Sequence, residues 1–378
     1  MGLVKKLFMA GCSVLGLFLP VKKNRVVFSS YYGRGYSDNP KAIAEALHRI
    51  APDAELIWLV KNEKEAASLP PYIKPCPYDS PKRIFTLSSA RVWVDNCRKY
   101  ERFKKKNQFY LQTWHGFPLK KIEKDVVDTL PSDYERGALR DSGFTNLLIS
   151  NSAFETEVFR RCFWYEGEIA EYGSPRNDVF TNPDPEAEQK VRGMLSLPSD
   201  RKLILYAPTF RADHSIEAYA LDAEGLLKAC EKRFGGAWTV LVRLHPNVAH
   251  QSSTLFSYDG KSIVDATIYP DMQELLAASD ILITDYSSSM FDFALSGKIC
   301  LRLALDLEDY MKDRNFYFSY EEIPFPYGKS NEEFLSLIEH FNEEEYQAVR
   351  EAFYEKLAFC EDGLASRRCA ERIAEQLR

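Results

Sequence analysis

The sequence lacks paired cysteines, an excess of basic charge and any apolar run long enough to cross a membrane. Its eight cysteines stand singly, without a C-x-x-C pair. Neither a zinc site nor a disulfide framework is therefore indicated, and a reducing cytoplasm is the expected compartment. The formal net charge of −6 argues against nucleic acid as the main partner. There is no internal repeat and no low-complexity tract, so no repeat architecture is indicated.

The composition is typical of a globular protein. With 45% hydrophobic and 28% charged residues, the 378-residue chain is neither disordered nor polytopic. A chain of this length is expected to form two domains, each large enough to bury its own core. No acidic cluster is spaced like a set of magnesium ligands, and Asp306 and Asp309 are more simply helix or loop acids. We therefore predict no cofactor and a metal-independent activity.

The first 24 residues form a basic segment with an apolar centre. Lys5, Lys6, Lys22 and Lys23 flank the apolar run 7–19, which is too short for a helix that spans a bilayer. The stretch 9–12 is similar to a lipoprotein cleavage site, but the apolar residues before it are too few for a signal peptide. A plain buried helix is an alternative. We predict instead a helix that lies in the membrane interface, with its lysines attracted to anionic lipid.

Predicted strands and helices alternate in two series, which is typical of doubly wound parallel sheets. The first series has strands at 25–30, 55–60, 91–95, 109–113 and 147–152, and the second at 202–207, 238–246, 263–265 and 281–284. Two prolines in 182–185 predict a hinge. We therefore predict one Rossmann-like domain over 25–185, a second over 186–345, and C-terminal helices over 346–378 that pack back on the first.

A serine-rich stretch follows the predicted strand 281–284. That strand is apolar and β-branched, which indicates burial on both faces, and Ser287, Ser288 and Ser289 come where it passes into a helix. Ligands of open α/β sheets bind at the carboxyl ends of the strands, and free N–H groups at a helix N-terminus favour an anion. The stretch therefore predicts a phosphate site, although serines that merely cap the helix are the alternative.

Two histidines also follow predicted strands. His115 lies between a strand end and a Gly–Pro loop, and His245 lies at the exit of the strand that begins at residue 238. An imidazole with a pKa near ~6.5 can accept a proton at neutral pH, although a structural histidine in a turn is the alternative for His115. The basic stretch 98–106 precedes this histidine. It is either a solvated loop or a surface for phosphates or lipid headgroups.

Seven stretches, in order along residues 26–320, resemble the CDP-glycerol glycerophosphotransferases of teichoic-acid and related polymer synthesis. They are YSDNPK (36–41), WHG (114–116), GSPRND (173–178), YAPTFR (206–211), RLHP (243–246), ITDYSS (283–288) and DLEDY (306–310). The resemblance implies a GT-B arrangement, in which two Rossmann-like domains face a central cleft that holds the active site. The chain departs from the family pattern at Arg302 and at Arg314-Asn315, which puts the detailed nucleotide loop and the preferred polyol in question.

The resemblance also implies roles for individual residues. His115 would be the general base, in a loop that reaches into the cleft with Trp114, Gly116, Phe117 and Pro118. His245 would be the second catalytic residue and would offset charge on the leaving group. Contacts with the nucleotide and the diphosphate would come from a larger set: Arg176, Pro208, Thr209, Arg243, Leu244, His245, Ser287, Ser288 and Asp292.

The activity that the resemblance implies is the transfer of glycerol phosphate from CDP-glycerol to a hydroxyl of a lipid-linked saccharide or a growing chain, with release of CMP. The expected location is the cytoplasmic face of the cell membrane, and a primase is preferred to a short polymerase. Three alternatives are a CDP-ribitol ribitolphosphotransferase, a nucleotide-sugar glycosyltransferase of the same fold, and a membrane-associated binding protein that has lost catalysis.

Overall fold

The computed structural model describes residues 3–183, 185–211, 216–245, 247–248, 251–313 and 315–378. Asp184 of the predicted hinge, Pro246 beside the second histidine and Arg314 lie outside these residues. The chain forms two compact units. The first comprises Met1–His115, Ile122–Asp178 and Ala358–Arg378, and the second comprises Gly116–Lys121 and Val179–Leu357.

Each unit contains one sheet, and every strand pairing in both sheets is parallel. The strands of the first unit are β1 (Lys22–Ser29), β2 (Glu55–Val60), β3 (Ile73–Pro77), β4 (Ala90–Asp95), β5 (Phe109–Gln112), β6 (Leu147–Ser150) and β7 (Glu168–Glu171). Those of the second unit are β8 (Arg201–Tyr206), β9 (Ala237–Val242), β10 (Ile263–Asp265), β11 (Ile281–Thr284), β12 (Ile299–Leu303) and β13 (Tyr327–Gly328). The sheet orders are β3-β2-β1-β4-β5-β6-β7 and β10-β9-β8-β11-β12-β13. Both follow the Rossmann pattern, so the predicted pair of Rossmann-like domains is confirmed.

The helices alternate with these strands along the chain. In order they are α1 (Leu3–Gly16), α2 (Asp38–Ile50), α3 (Glu63–Ala67), α4 (Pro81–Ser89), α5 (Ser132–Phe144), α6 (Ala153–Cys162), α7 (Asp178–Thr181), α8 (Pro185–Met194), α9 (Ala223–Phe234), α10 (Ser252–Leu255), α11 (Met272–Ala278), α12 (Ser289–Ala294), α13 (Leu307–Asp313), α14 (Asn331–Glu339), α15 (Glu343–Leu357) and α16 (Ala365–Leu377). Short 3-10 helices cover Glu123–Thr129, Pro175–Asn177, Glu217–Tyr219 and Tyr320–Glu322.

The sheet of the first unit has a hydrophobic core on each face. Val26 and Phe28 of β1 point into one core, which also contains Ile43 of α2 and Ile373 of α16. Val27 points into the other core. Adjacent side chains of a strand face opposite sides of its sheet, so a continuous apolar run such as 26–28 requires cover on both faces. The last helix of the chain supplies part of that cover, which makes it an integral part of the first unit.

The unit boundaries differ from the predicted domain boundaries. The change from the first to the second unit falls after Asp178, before the predicted hinge at 182–185, and α15 belongs to the second unit, which the chain leaves after Leu357. Tyr346 and Tyr354 explain the position of α15, because their hydroxyl groups donate to the carbonyl oxygens of Lys298 (2.9 Å) and Phe291 (2.6 Å). Polar contacts of this kind have no periodic signal in the sequence of α15.

Two edge strands of the first sheet were missing from the prediction. Pro75 and Pro77 lie within β3, and prolines lower the expectation of a strand because they donate no backbone hydrogen bond. An edge strand tolerates them, and β3 is an edge strand. The other edge strand, β7, begins and ends with a glutamate and contains no apolar run. Hydrophobic pattern therefore identified the central strands and missed these two.

The N-terminal segment forms α1, which packs against α4 in the first unit. Cys12 and Gly16 are buried, whereas Phe8, Leu15 and Phe18 are exposed. The helix is therefore neither fully buried nor separate from the domain. Across the described residues, no helix combines the length and the apolar character required to cross a bilayer. The predicted association of this segment with a membrane remains a prediction.

Candidate active site

The predicted site residues fall into two groups, one in each unit. The first unit contains Trp114, His115 and Arg176. The second contains Gly116, Phe117, Pro118, Pro208, Thr209, Arg243, Leu244, His245, Ser287, Ser288 and Asp292. The tryptophan-histidine-glycine motif is thus divided between the units at its last residue. In the second unit the ring of Phe117 packs against that of Phe291, with centroids 4.5 Å apart, so this side chain belongs to a hydrophobic core.

His115 is held in one tautomer by the backbone of the first unit. Its Nδ1 atom lies 2.6 Å from the carbonyl oxygen of Asn96, which follows β4. A carbonyl oxygen can only accept, so Nδ1 carries the proton and the neutral ring presents a lone pair at Nε2. Burial lowers the pKa of His115 below its ordinary value, because the cationic form loses hydration. The imidazole is therefore neutral near pH 7 and able to accept a proton at Nε2.

A buried ion pair lies beside this histidine. A guanidinium nitrogen of Arg176 is 3.0 Å from the carboxylate of Asp38, and the hydroxyl group of Tyr31 donates to the same oxygen at 2.6 Å. Burial opposes the ionisation of Asp38, but the charge of Arg176 and the bonds from Tyr31 and Asn39 outweigh it, so the pKa of Asp38 is below its ordinary value. The carboxylate is therefore charged near neutral pH. Asp38 lies in the stretch 36–41, but no role for it was predicted from the sequence.

Several residues around His115 have left-handed backbone conformations. Tyr31 (φ 44°), Asp38 (φ 65°) and Trp114 (φ 52°) all have positive φ values, although none is a glycine. Such conformations cost on the order of 1–3 kcal/mol each and persist only where the surrounding contacts hold them. They also collect at functional sites. Their concentration here supports a functional role for this edge of the sheet.

The basic stretch 98–106 was predicted to be a solvated loop or a surface for phosphates or lipid headgroups, but its first two residues are buried in the first unit. Arg98 is buried between Glu123 (3.1 Å) and Asp141 (3.2 Å), and its guanidinium group lies over the ring of Phe163. Lys99 is also buried and pairs with Asp95 at 2.6 Å. Buried charges require partners of this kind. The prediction of a phosphate or lipid surface was therefore wrong for the first two residues of the stretch.

In the second unit, three neighbouring strands bring the predicted donor residues to one edge. The sheet order places β9, β8 and β11 side by side and parallel, so their carboxyl ends lie together. Arg243 and His245 follow β9, Thr209 follows β8, and Ser287 and Ser288 follow β11. This is the edge at which open α/β sheets bind their ligands.

A charged network that was not predicted connects the loops at the carboxyl edge of the second sheet. The guanidinium group of Arg211 bonds to Asp285 (2.8 Å) and Asp306 (2.6 and 2.9 Å) and lies against the rings of Tyr286 and Tyr310. The other oxygen of Asp285 accepts the backbone N–H of Thr209 at 2.8 Å. These residues tie together the loops that follow β8, β11 and β12. Asp306, interpreted from sequence as a simple helix or loop acid, is part of this scaffold.

The hydroxyl groups at this edge are not used as simple helix caps. Ser288 is the N-cap residue of α12, but its side chain makes no capping hydrogen bond. The Oγ atom of Ser287 lies 2.9 Å from that of Ser289 and accepts its backbone N–H weakly, at 3.3 Å. The buried Oγ1 atom of Thr209 has no hydrogen-bonding partner in the described part of the chain. Buried polar atoms are normally paired, so this hydroxyl suits a ligand or water.

His245 is held in the opposite tautomer to His115. Its Nδ1 atom accepts the backbone N–H of Asn247 at 3.2 Å, so in the neutral ring the proton is on Nε2. The ring is exposed and lies 4.6 Å from that of Phe210. Arg243 is partly buried and donates to the carbonyl oxygen of Tyr269 at 3.1 Å. The second unit therefore offers a hydrogen-bond donor at Nε2, where the first unit offers an acceptor.

The remaining predicted contacts are buried within the second unit. Leu244 is buried, and its backbone N–H donates to Thr267 at 3.2 Å. Asp292 is buried on α12. No group of three or more histidine, cysteine, aspartate or glutamate side chains is arranged as a metal site among the residues that the structure describes. Metal independence stays a prediction.

Comparison with known proteins identifies close relatives over nearly the whole chain. Residues 12–375 match the family described as CDP-Glycerol:Poly(glycerophosphate) glycerophosphotransferase. A teichoic acid poly(glycerol phosphate) polymerase of Staphylococcus epidermidis is 35% identical over 376 residues, which cover 95% of this chain and 51% of that protein. A teichoic acid glycerol-phosphate transferase of Staphylococcus aureus is 33% identical, with 93% of each chain covered. The chain thus spans about half the length of the first relative.

Solved structures extend the comparison to the fold. A structure of the wall teichoic acid polymerase TagF, a histidine-to-asparagine variant soaked with CDPG, superposes with a TM-score of 0.84. The two sequences are 31% identical, and the match covers 99% of this chain and 96% of that one. The fold, with two Rossmann-like domains that each contain a parallel sheet, is therefore shared with this TagF variant.

Proposed function

Because the chain belongs to the CDP-glycerol:poly(glycerophosphate) glycerophosphotransferase family, we propose that it transfers glycerol phosphate from CDP-glycerol to a hydroxyl group and releases CMP. Both relatives described above carry glycerol phosphate in their names, and the TagF structure was soaked with CDPG. The acceptor we propose is a lipid-linked saccharide or a growing polyol-phosphate chain. The product would be a teichoic-acid or capsule-like polymer.

The observation that carries this proposal is the opposite bonding of the two histidines. Nε2 of His115 would accept the proton of the acceptor hydroxyl as its oxygen attacks the β-phosphorus of CDP-glycerol. The bond between that phosphorus and the bridging oxygen breaks, and CMP leaves with the bridging oxygen. Nε2–H of His245 would donate a hydrogen bond to the negative charge that develops on the leaving group. The proposed reaction requires both imidazoles.

The edge of the second sheet supplies groups that suit the donor. Hydroxyl groups of Thr209, Ser287 and Ser288 and the backbone N–H groups near the start of α12 would hold the diphosphate, while Arg243 would offset its charge. Phosphoryl transfer depends mainly on alignment and charge neutralisation, which such groups provide. We propose this edge as the donor site.

A product assay tests the activity and its alternatives together. The purified protein would be incubated with CDP-glycerol, CDP-ribitol or a UDP-sugar and a synthetic prenyl-pyrophosphate disaccharide, with mass spectrometry of the products. We expect CMP release and addition of glycerol phosphate. CMP release with CDP-ribitol alone would identify a ribitolphosphotransferase, and UDP release would identify a glycosyltransferase. A single addition would indicate a primase, the preferred alternative, and many additions a polymerase.

We also propose that α1 places the enzyme on the cytoplasmic face of the membrane, as a peripheral protein. Leu15 and Phe18 are exposed, and the exposed Lys22 and Lys23 follow them closely in sequence, so the exposed surface of this segment combines apolar and basic side chains. Such a surface binds anionic lipid through apolar burial and about 1 kcal/mol per lysine. A lipid-linked acceptor would lie at that same interface.

Vesicle co-sedimentation tests this location. Binding of the full chain to vesicles with anionic lipid should exceed binding to neutral vesicles. Because each buried Leu or Phe contributes about 1.5–3 kcal/mol, Leu15→Ser with Phe18→Ser should weaken binding by roughly tenfold or more. Val349→Ser, which changes an exposed apolar residue on α15, is the matched control and should bind like the wild type. Equal binding of all three proteins would exclude this role for α1.

A further inference from the structure

Arg176 has contacts within the first unit that differ from the donor contact implied by the family resemblance. Its guanidinium group forms a pair with Asp38 at 3.0 Å, and the side chains of the two residues are only 5% and 7% exposed. The charges of Arg176 and Asp38 offset each other, so the pair as a whole presents no net charge to a diphosphate. We propose that Arg176 and Asp38 form a positioning pair that sets the orientation and the proton affinity of His115. The inference rests on the proposed role of His115 as the base.

Asp38 acts on the histidine through Tyr31 and Asn96. The hydroxyl group of Tyr31 donates to Asp38 at 2.6 Å, and the edge of its ring meets the ring of His115 at a centroid distance of 5.8 Å and an angle of 66°. The backbone N–H of Tyr31 donates to the side-chain oxygen of Asn96 at 2.9 Å. Asn96 is also the residue whose carbonyl oxygen holds His115. The carboxylate of Asp38 therefore positions Tyr31 and, through it, Asn96, and these two residues contact the imidazole of His115.

Arg176 is connected to the same loop by its backbone. Its N–H donates to the side-chain oxygen of Asn39 at 3.0 Å, and the amide nitrogen of Asn39 donates to the carbonyl oxygen of Trp114 at 3.2 Å. Trp114 immediately precedes His115 and has a strained, positive φ. Glu361 holds the loop of Arg176 from the other side, because its carboxylate accepts the backbone N–H of Ser174 at 3.0 and 3.1 Å. These hydrogen bonds fix the position of the Arg176 loop relative to His115.

The charges of the pair act on the histidine in opposite directions. Asp38 and Asp95 favour the imidazolium and raise the pKa of His115, whereas burial, which is the largest effect, and Arg176 lower it. Tyr31 and Cys97 also face the ring, and neither carries a charge near neutral pH, since burial raises the pKa of both. Removal of one member of the pair should therefore move the titration of His115 in the direction opposite to removal of the other.

An NMR titration of the histidine rings tests this directly and requires no substrate. The chain has six histidines, and the signal of His115 is assigned by its loss in His115→Gln. Asp38→Asn should lower the measured pKa of His115, and Arg176→Gln should raise it. Arg176→Lys keeps the charge and should restore most of the wild-type value. Arg25→Gln breaks a pair with Glu55 (2.7 Å) in the N-terminal half of β1 and should leave the titration unchanged.

Kinetics separate positioning from donor binding. If the pair positions His115, Arg176→Gln should lower kcat by about tenfold or more, since small misplacements cost this much, with KM for CDP-glycerol within about twofold of the wild type. A large rise in KM without a shift in the His115 titration would overturn the inference and return Arg176 to the donor site. A wild-type protein that releases no CMP would refute the proposed function alone, because the NMR shifts do not depend on turnover.

Discussion

The histidines of the two units lie in contrasting surroundings. His115 follows β5 beside a buried ion pair and strained backbone, and its Nδ1 donates to a carbonyl oxygen. His245 follows β9 on an exposed loop, and its Nδ1 accepts a backbone N–H. The partner of Nδ1 decides which role Nε2 can take in the neutral ring. A histidine follows the carboxyl end of a parallel strand in each unit. In the neutral ring, Nε2 of His115 can accept a hydrogen bond, whereas Nε2 of His245 can donate one.

The surrounding charges differ in the same way. In the first unit the charge of Arg176 is balanced by Asp38 close to the histidine. In the second unit Arg211 is balanced by Asp285 and Asp306, beside the strand ends that carry the hydroxyl groups proposed to bind the donor. An acceptor hydroxyl needs a proton acceptor, whereas a diphosphate needs hydrogen-bond donors. The comparison therefore supports our proposal that the two reactants bind to different units.

The largest expected effect is at His115. We expect His115→Ala to lower kcat by about 10²–10⁴-fold, because a positioned general base contributes that much. His115→Gln should be equally impaired, since an amide does not accept the proton. CMP release under saturating CDP-glycerol measures both. A variant that keeps close to the wild-type rate would show that His115 is not the base.

At position 245, kcat should depend on a hydrogen-bond donor and not on a base. His245→Ala should lower kcat by about 10²–10³-fold, as expected when one donor to developing charge is removed. His245→Gln retains an N–H group near the position of Nε2 and should recover part of the rate. The same assay compares the four variants. If glutamine is no better than alanine at position 245, the donor assignment fails.

The network around Arg211 should contribute stability to the second unit. Asp306→Asn leaves a buried guanidinium group with a weaker partner, and we expect a loss of about 1–3 kcal/mol in the free energy of unfolding. Asp309→Asn is the control, because Asp309 is exposed in its pair with Lys312 (2.8 Å) and should change stability by less than about 0.5 kcal/mol. Chemical denaturation measures both variants. Equal effects would mean that the buried network adds nothing beyond a surface pair.

The pH dependence should show which histidine must be neutral. Burial lowers the pKa of His115, and a base acts only when it is unprotonated. Activity should therefore fall as the pH decreases through a value below ~6.5, by about tenfold per pH unit in kcat/KM. The profile of kcat/KM against pH measures this limb. A limb above the ordinary histidine pKa would contradict the inference that burial lowers the pKa of His115.

Much of the fold could be predicted from local patterns. The apolar run at 281–284 was predicted with the bounds that the structure shows, because a central strand buried on both faces requires a continuous apolar sequence. The edge strands β3 and β7 do not require it and were missed. The candidate site could be placed at strand ends for the same topological reason. Asp38, Arg211 and Asp306 received no role, since their partners are distant in sequence.

The sequence by itself determined two parallel sheets, the order of the motifs and the positions of both histidines at strand exits. Hydrophobic periodicity and motif order are properties of the sequence itself, so they can be interpreted without information on long-range contacts. Only the tertiary structure decided that Arg98 is buried, that Arg176 pairs with Asp38, and that the two imidazoles carry their protons on different nitrogens. Each of these depends on a hydrogen-bonding partner that folding brings to a distance of about 3 Å. A local residue pattern does not predict that distance.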